Sequence, residues 1–313
     1  ELPGVSLGLV YANSYLPALA VQPFTGAFGG DMIAPQVEAI VGRDLRGSDR
    51  FEVIDSLPDA MVGTQVDYAL WDRLGAVWLV TGEVEGADDG YMLIVELHDV
   101  VYGEVRDRGR FRLPAQTDDD FRMSVHRTSD EIVRWATGDP GMAASRIAFT
   151  MVGNDGNKEI YVIDSDGENL DQVTDYNSLT ESPTWSPDAS RIALASWKTG
   201  VPRIYEVDRF GTELRALPAL RGAGDYVTPA YHPDGRTLAF TVNGSASQSG
   251  IFTYDLERDC CLAFLSGGPW YDISPTYSPD GRWLAFNTLR FGDNVPQVMM
   301  MPSEGGAAET LSP

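Results

Sequence analysis

The side chains of this chain that are able to do chemistry are few, and their spacing argues against most reactions. Its three histidines, His98, His126 and His232, fall in a predicted strand, a predicted helix and a turn. None is paired at the short spacing that puts two ligands on one metal or a base beside a nucleophile. His232 stands where two sister segments carry Ser, so a turn role is expected for it. A hydrolase-type serine needs Gly-x-Ser-x-Gly with a later Asp and His. The nearest stretch, Gly244-Ser245-Ala246-Ser247-Gln248-Ser249-Gly250, fails that spacing and reads as a long polar hairpin loop. Gly26-Ala27-Phe28-Gly29-Gly30 lies between a strand and a helix, as a dinucleotide turn does. It lacks Gly-x-Gly-x-x-Gly, and Phe28 would crowd a pyrophosphate, so a plain loop is expected. Asp164-Ser165-Asp166-Gly167 offers carboxylates to calcium, but the glycine comes too early for an EF-hand loop, which favours a bare hairpin turn. The expected catalytic, cofactor-binding and metal-ligating residues are therefore none. Cys260 and Cys261 are the two cysteines. Strand alternation would make one buried and one outward thiol, with a vicinal disulfide as the alternative.

The balance of charge narrows the partners. Lys and Arg number 23 against 46 Asp and Glu, a formal charge of −23. Such a surface repels nucleic-acid backbones and anionic lipid and suits basic or neutral protein surfaces. No apolar run reaches the roughly 20 residues of a membrane-spanning helix. The first residue is Glu1 rather than Met, and a removed signal peptide is the favoured explanation over trimming, which predicts a secreted chain.

The elements that must carry these residues are written most clearly in the second half. Ser182-Pro183-Thr184-Trp185-Ser186-Pro187-Asp188-Ala189 recurs as Thr228-Pro229-Ala230-Tyr231-His232-Pro233-Asp234-Gly235 and as Ser274-Pro275-Thr276-Tyr277-Ser278-Pro279-Asp280-Gly281, with Pro187, Pro233 and Pro279 spaced 46 residues apart. Pro presets φ, Asp bonds its own backbone and Gly accepts positive φ, so Pro-Asp-Gly is a hairpin turn. After each turn come a short apolar strand (Ile192–Leu194, Leu238–Phe240, Leu284–Phe286), a third strand and an outer one. Four short strands repeated every 40–50 residues are the signature of β-propeller blades. Four outer strands are counted, and the first unit, starting near Arg146, lacks an inner strand.

The first half reads as a small α/β domain. Strands are predicted at Leu19–Phe24, Phe51–Ile54, Trp78–Val84, Tyr91–Leu97 and Glu104–Arg112. A helix over 32–46 buries Ile33, Val37, Ile40, Val41 and Leu45 on one face. A second helix starts near Thr64, where Thr64 and Asp67 approximate a capping box and Val66, Leu70 and Leu74 form the buried stripe. A third runs from about Asp119 to Trp135 and stops at Gly138 and Pro140. The predicted domains are 1–140 and 141–313.

The Ser-Pro-x-Trp-Ser-Pro-Asp-Gly-x-x-Ile-Ala-Phe pattern resembles the blade repeat of the TolB family, and the order of α/β domain then blades is similar to that family over nearly the whole chain. A related repeat occurs in prolyl-oligopeptidase-type propellers. The resemblance implies a multidomain α/β plus all-β protein, periplasmic, non-enzymatic and without a bound cofactor, that serves as a protein–protein interaction scaffold. It implies Pal at the propeller and TolA at the N-terminal segment, although Leu2–Tyr15 carries no matching TolA-binding signature. The family's ring has six blades and a closing strand, so this chain is either part of a longer one or a smaller propeller. Two other readings stay open: an accessory subunit on the periplasmic face of a large membrane complex, such as a photosynthetic reaction centre, and the propeller domain of a peptidase. A cation in a propeller channel also stays open.

What the residues offer for binding is a set of aromatics beside acids in the loops that lead into the inner strands. These are Asp175-Tyr176-Asn177, Asp225-Tyr226 and Trp270-Tyr271-Asp272. Repeat symmetry would gather Tyr176, Asn177, Tyr226, Trp270 and Tyr271 on one face as interface anchors. The alternative is that the loop aromatics pack between blades.

Overall fold

A computed structural model describes residues 16–54, 65–153, 155–218, 224–244, 249–267, 270–292 and 295–311. Leu2–Tyr15, Thr64 and residues 245–248 of the polar loop lie outside the described residues. The chain divides into two compact units, residues 1–145 with 164–168, and residues 146–163 with 169–313.

The first unit is built on one mixed sheet. Its order is β3 (Glu52–Ile54), β1 (Ala18–Val21), β4 (Trp78–Ala87), β5 (Gly90–Asp99) and β6 (Glu104–Leu113), with β2 (Thr25–Ala27) also pairing β4. β1 runs parallel to β3 and β4, while β4, β5 and β6 form an antiparallel meander. Strand alternation sorts the two faces. Leu19, Val21 and Val80 join one cluster with α1 (Ala34–Gly47) and α3 (Phe121–Thr137), whereas Ala20 and Leu79 join Trp71 of α2 (Tyr68–Arg73) in another. All five apolar positions expected on the first helix are buried, each worth about 1.5–3 kcal/mol of transfer free energy. A proline in the first turn of α1 suits a helix start. α3 ends where Gly138 adopts a left-handed φ of 82° and returns its N–H to the Arg134 carbonyl.

The second helix differs from its sequence reading. It starts at Tyr68, and Asp67 is its N-cap, accepting from the Leu70 N–H at 3.2 Å. Trp71 is its buried anchor; Val66 and Leu70 pack partly, and Leu74 is exposed. Six residues make fewer than two turns, so one large side chain does the work of a stripe.

The second unit contains four successive antiparallel sheets. The first has three strands, β7 (Arg146–Val152), β8 (Lys158–Asp164) and β9 (Asp171–Gln172). Three four-stranded blades follow: β10 (Thr180–Trp185) to β13 (Glu213–Ala216), β14 (Asp225–Tyr231) to β17 (Cys260–Ser266), and β18 (Ile273–Tyr277) to β21 (Glu309–Thr310). Each Ser/Thr-Pro segment is the first strand of its blade. A proline there cannot donate to a ladder, so each strand bulges: the register shifts at Glu181/Thr184, Val227/Ala230 and Ile273/Thr276. The residue before each proline takes positive φ, at Ser182, Thr228 and Ser274. The same backbone solution recurs three times with three sequences, which makes it a property of the blade.

The cysteines also depart from simple alternation. Cys260 and Cys261 are joined as a disulfide. Cys261 has a φ of 67°, at a bulge where Asp255 pairs with Cys260 and Thr253 with Ala263. The bulge breaks the two-residue period that would have sent the sulfurs to opposite faces.

Candidate interaction surface

In a blade of four antiparallel strands, the loop entering the first strand and the hairpin between the second and third lie at the same end. Lys198, Arg203 and Arg290 are cations at that end. The Lys198 ammonium sits 3.8 Å from the Tyr176 ring centroid and 4.0 Å from that of Tyr205. The Arg203 guanidinium lies 5.1 Å from the Tyr226 ring. Arg290 reaches the Ser266 hydroxyl at 2.7 Å and the Asp272 carboxylate. The sequence signal for these three was weak, because single basic residues in hairpins are commonplace; only their shared position marks them.

The five expected anchors separate on this frame. Trp270 and Tyr271 are 41% and 39% exposed at the entry to β18. Asn177 is exposed with a left-handed φ of 52°. Tyr176 is half-buried, held under Lys198 against the cluster of Ile160, Leu194 and Tyr205. Burial also raises the pKa of its phenol. Tyr226 corrects the expectation: it is 1% exposed and lies inside β14, not in a loop. Its pairing with Val242 corresponds to that of Thr180 with Ser196, another fully buried position. Its ring packs on Phe240 at 5.0 Å, so the alternative reading of core packing holds for this residue.

At the other end of the blades, a groove of about 610 Å³ runs between the Pro187-Asp188 and Pro233-Asp234 turns and is lined by Arg191 and Arg215. Beneath it Glu206, 1% exposed, accepts from the Tyr231 hydroxyl at 2.6 Å and pairs with Arg191 at 3.4 Å and Arg215 at 3.3 Å. The turns themselves are tightly bonded. The Ser186 hydroxyl, then the Ser190 hydroxyl and N–H, hold the Asp188 carboxyl down at about 2. In the sister turn His232 accepts from the Asp234 N–H at 3.1 Å through Nδ1, which leaves Nε2 to donate to the Gly281 carbonyl at 3.0 Å. That turn role was expected; the reach to the next blade was not.

In the first unit, α1 and α3 bring Asp44 and His126 together. His126 Nδ1 lies 2.8 Å from Asp44 Oδ2, and the Ser129 hydroxyl donates to the same oxygen at 2.6 Å. Because Ser129 bonds the carboxylate and not the imidazole, this trio is no nucleophilic relay. His126 Nε2 faces Asp166 Oδ2 at 3.8 Å. The His126, Asp164 and Asp166 ligand atoms lie within 4.8 Å of one another. Sequence spacing gives His126 no ligand partner and makes 164–167 a bare turn. The fold closes that distance. His98, by contrast, is buried among Tyr68, at 2.9 Å, and Thr81, at 3.1 Å.

The sequence matches the TolB beta propeller domain over residues 133–313 and the TolB amino-terminal domain over residues 11–105. It is 35% identical to the Tol-Pal system protein TolB of Albidiferax ferrireducens over 225 residues, 71% of this chain and 50% of that protein. It is 31% identical to the protein of the same name from Roseobacter denitrificans over 200 residues, 61% of this chain and 44% of that one. The chain thus spans about half the length of these relatives. The fold is similar to the crystal structure of TolB from Acinetobacter baumannii, with a TM-score of 0.79 and 27% identity over 95% of this chain and 71% of that one.

Proposed function

Since the chain belongs to the TolB-like family, we propose that it is a non-enzymatic docking protein of the bacterial envelope, working in the periplasm in a Tol-Pal-type assembly. The observation that carries this reading is the pair Trp270 and Tyr271, two large aromatics left over a third exposed beside the buried Asp272–Arg290 network. Aromatic rings held on a rigid support lose little conformational freedom on binding, which is what an interface anchor requires. Asn177 and the outer edge of Tyr176 extend the surface. The partner that the relatives' names suggest is Pal, and a chain of charge −23 favours a partner patch of neutral or positive potential.

Binding of purified Pal, measured by titration calorimetry with this chain and with Trp270→Ala/Tyr271→Ala, tests the proposal. A loss of at least tenfold in affinity with an unchanged melting temperature is expected. Undiminished binding in the double variant would move the interface elsewhere, and no binding by the parent chain would remove Pal as the partner.

A further inference from the structure

The His126 cluster sets an unpartnered buried imidazole nitrogen against carboxylates. His126 is fully buried, with 0% of its surface exposed. Asp44 takes one ring nitrogen at 2.8 Å, and a carboxylate accepts, so Nδ1 carries a hydrogen, and in the neutral imidazole Nε2 carries the lone pair. Nε2 has no hydrogen-bond partner. It points at a second carboxylate, Asp166, at 3.8 Å, with Asp164 completing the group. Arg122 and Arg43 reach the same Asp166 oxygen, and a lone pair facing it across the remaining gap is repulsive until something positive lies between them.

We propose that His126 Nε2 and the carboxylates of Asp164 and Asp166 bind a single divalent transition-metal ion, zinc being the expected occupant. Two lines support it. The donor set of one imidazole and two carboxylates suits zinc, whereas calcium and magnesium prefer oxygen alone. The Asp44–His126 bond, itself buttressed by Ser129, is the carboxylate–histidine support that fixes tautomer and ring plane for a metal-binding imidazole. Ligands on a tetrahedral zinc stand about 3.3 Å apart. The present limit of 4.8 Å closes to that by side-chain movements of up to about 1.5 Å. Three protein ligands leave a fourth position for water.

The site is tested by titrating zinc chloride into the chelator-treated chain and by following cobalt(II) absorption in the visible. One ion per chain is expected, with affinity reduced at least tenfold in each of His126→Gln, Asp164→Asn and Asp166→Asn, and in the positioning variant Asp44→Asn. Binding that survives all three ligand substitutions, or no stoichiometric binding, would overturn the proposal. If the variants lose their circular dichroism, nitrogen NMR of the parent chain decides. A zinc-dependent shift at His126 Nε2 supports the site, and a proton on both ring nitrogens with no response to zinc refutes it.

Discussion

The buried acids of the blades and the buried His126 of the α/β unit are treated in different ways. In the blades, three buried acids are surrounded by donors. Asp272, 0% exposed, accepts from Ser266, from Thr288 at 2.6 Å and from Arg290. Glu159 takes the Thr174 hydroxyl at 2.5 Å and the Tyr176 N–H at 2.8 Å, and Glu206 is held by Tyr231 and two arginines. In the α/β unit the buried His126 is satisfied on one nitrogen and open on the other. In Asp272, Glu159 and Glu206 the donors come from neighbouring strands and loops of the same blades, so these carboxylates hold strands together. An imidazole with a free lone pair gives the fold less than it costs and keeps its capacity for something outside the chain. The contrast separates polar groups that build the scaffold from those that wait for a partner.

The largest test of that contrast is Asp272→Ala. It leaves the Ser266 and Thr288 hydroxyls buried and Arg290 without its anion, and breaking a buried ion pair of this kind costs about 3–5 kcal/mol. Arg290 retains 23% exposure and can recover water, so a loss near about 3 kcal/mol in urea unfolding of the second unit is expected. Asp166→Asn in the first unit should be milder. Arg43 is half exposed and Arg122 one-fifth exposed, both close enough to solvent to rehydrate, so about 1 kcal/mol is expected without metal. Equal losses in the two variants would erase the distinction between scaffold and site.

The sequence carried the scaffold far better than the site, for a physical reason. Turn chemistry and strand period are local, so Pro187-Asp188-Ala189 and its sisters announced the hairpins, and Ile33 through Leu45 announced a helix face. Tyr226 was misplaced because a residue at a strand edge differs from a loop residue by one position, and only the ladder to Val242 settles which it is. Thr64 misled in the same way: Asp67, three residues on, holds the cap itself. The Cys260–Cys261 disulfide depends on a bulge that no alternation rule encodes. His126 and Asp166 are 40 residues apart in sequence, and their meeting is a tertiary event with no spacing to read.

Acid gives the finest comparison, because the two units should soften in a fixed order. Burial lowers the pKa of His98 in the first unit below its ordinary value of 6.5, against the opposing pull of Glu96. A lowered histidine pKa means that the unfolded chain binds a proton more readily. Its contribution is therefore whole above about pH 6.5 and declines as pH falls toward the folded pKa. In the blades, Asp188 and Asp280 are held at about 2 by the Ser186 and Ser278 hydroxyls and the turn N–H groups, below the ordinary 3.8. A lowered carboxylate pKa works at lower pH: the contribution is whole above about pH 4 and is lost only as pH falls toward 2. Amide exchange read peptide by peptide at pH 7, 5 and 3 should therefore show β4 and β5 losing protection first, with the Pro-Asp turns unchanged at pH 5. Turns that open at pH 5 while the strands around His98 stay protected would reverse the order and show that the blades, not the α/β unit, carry the acid-sensitive charge.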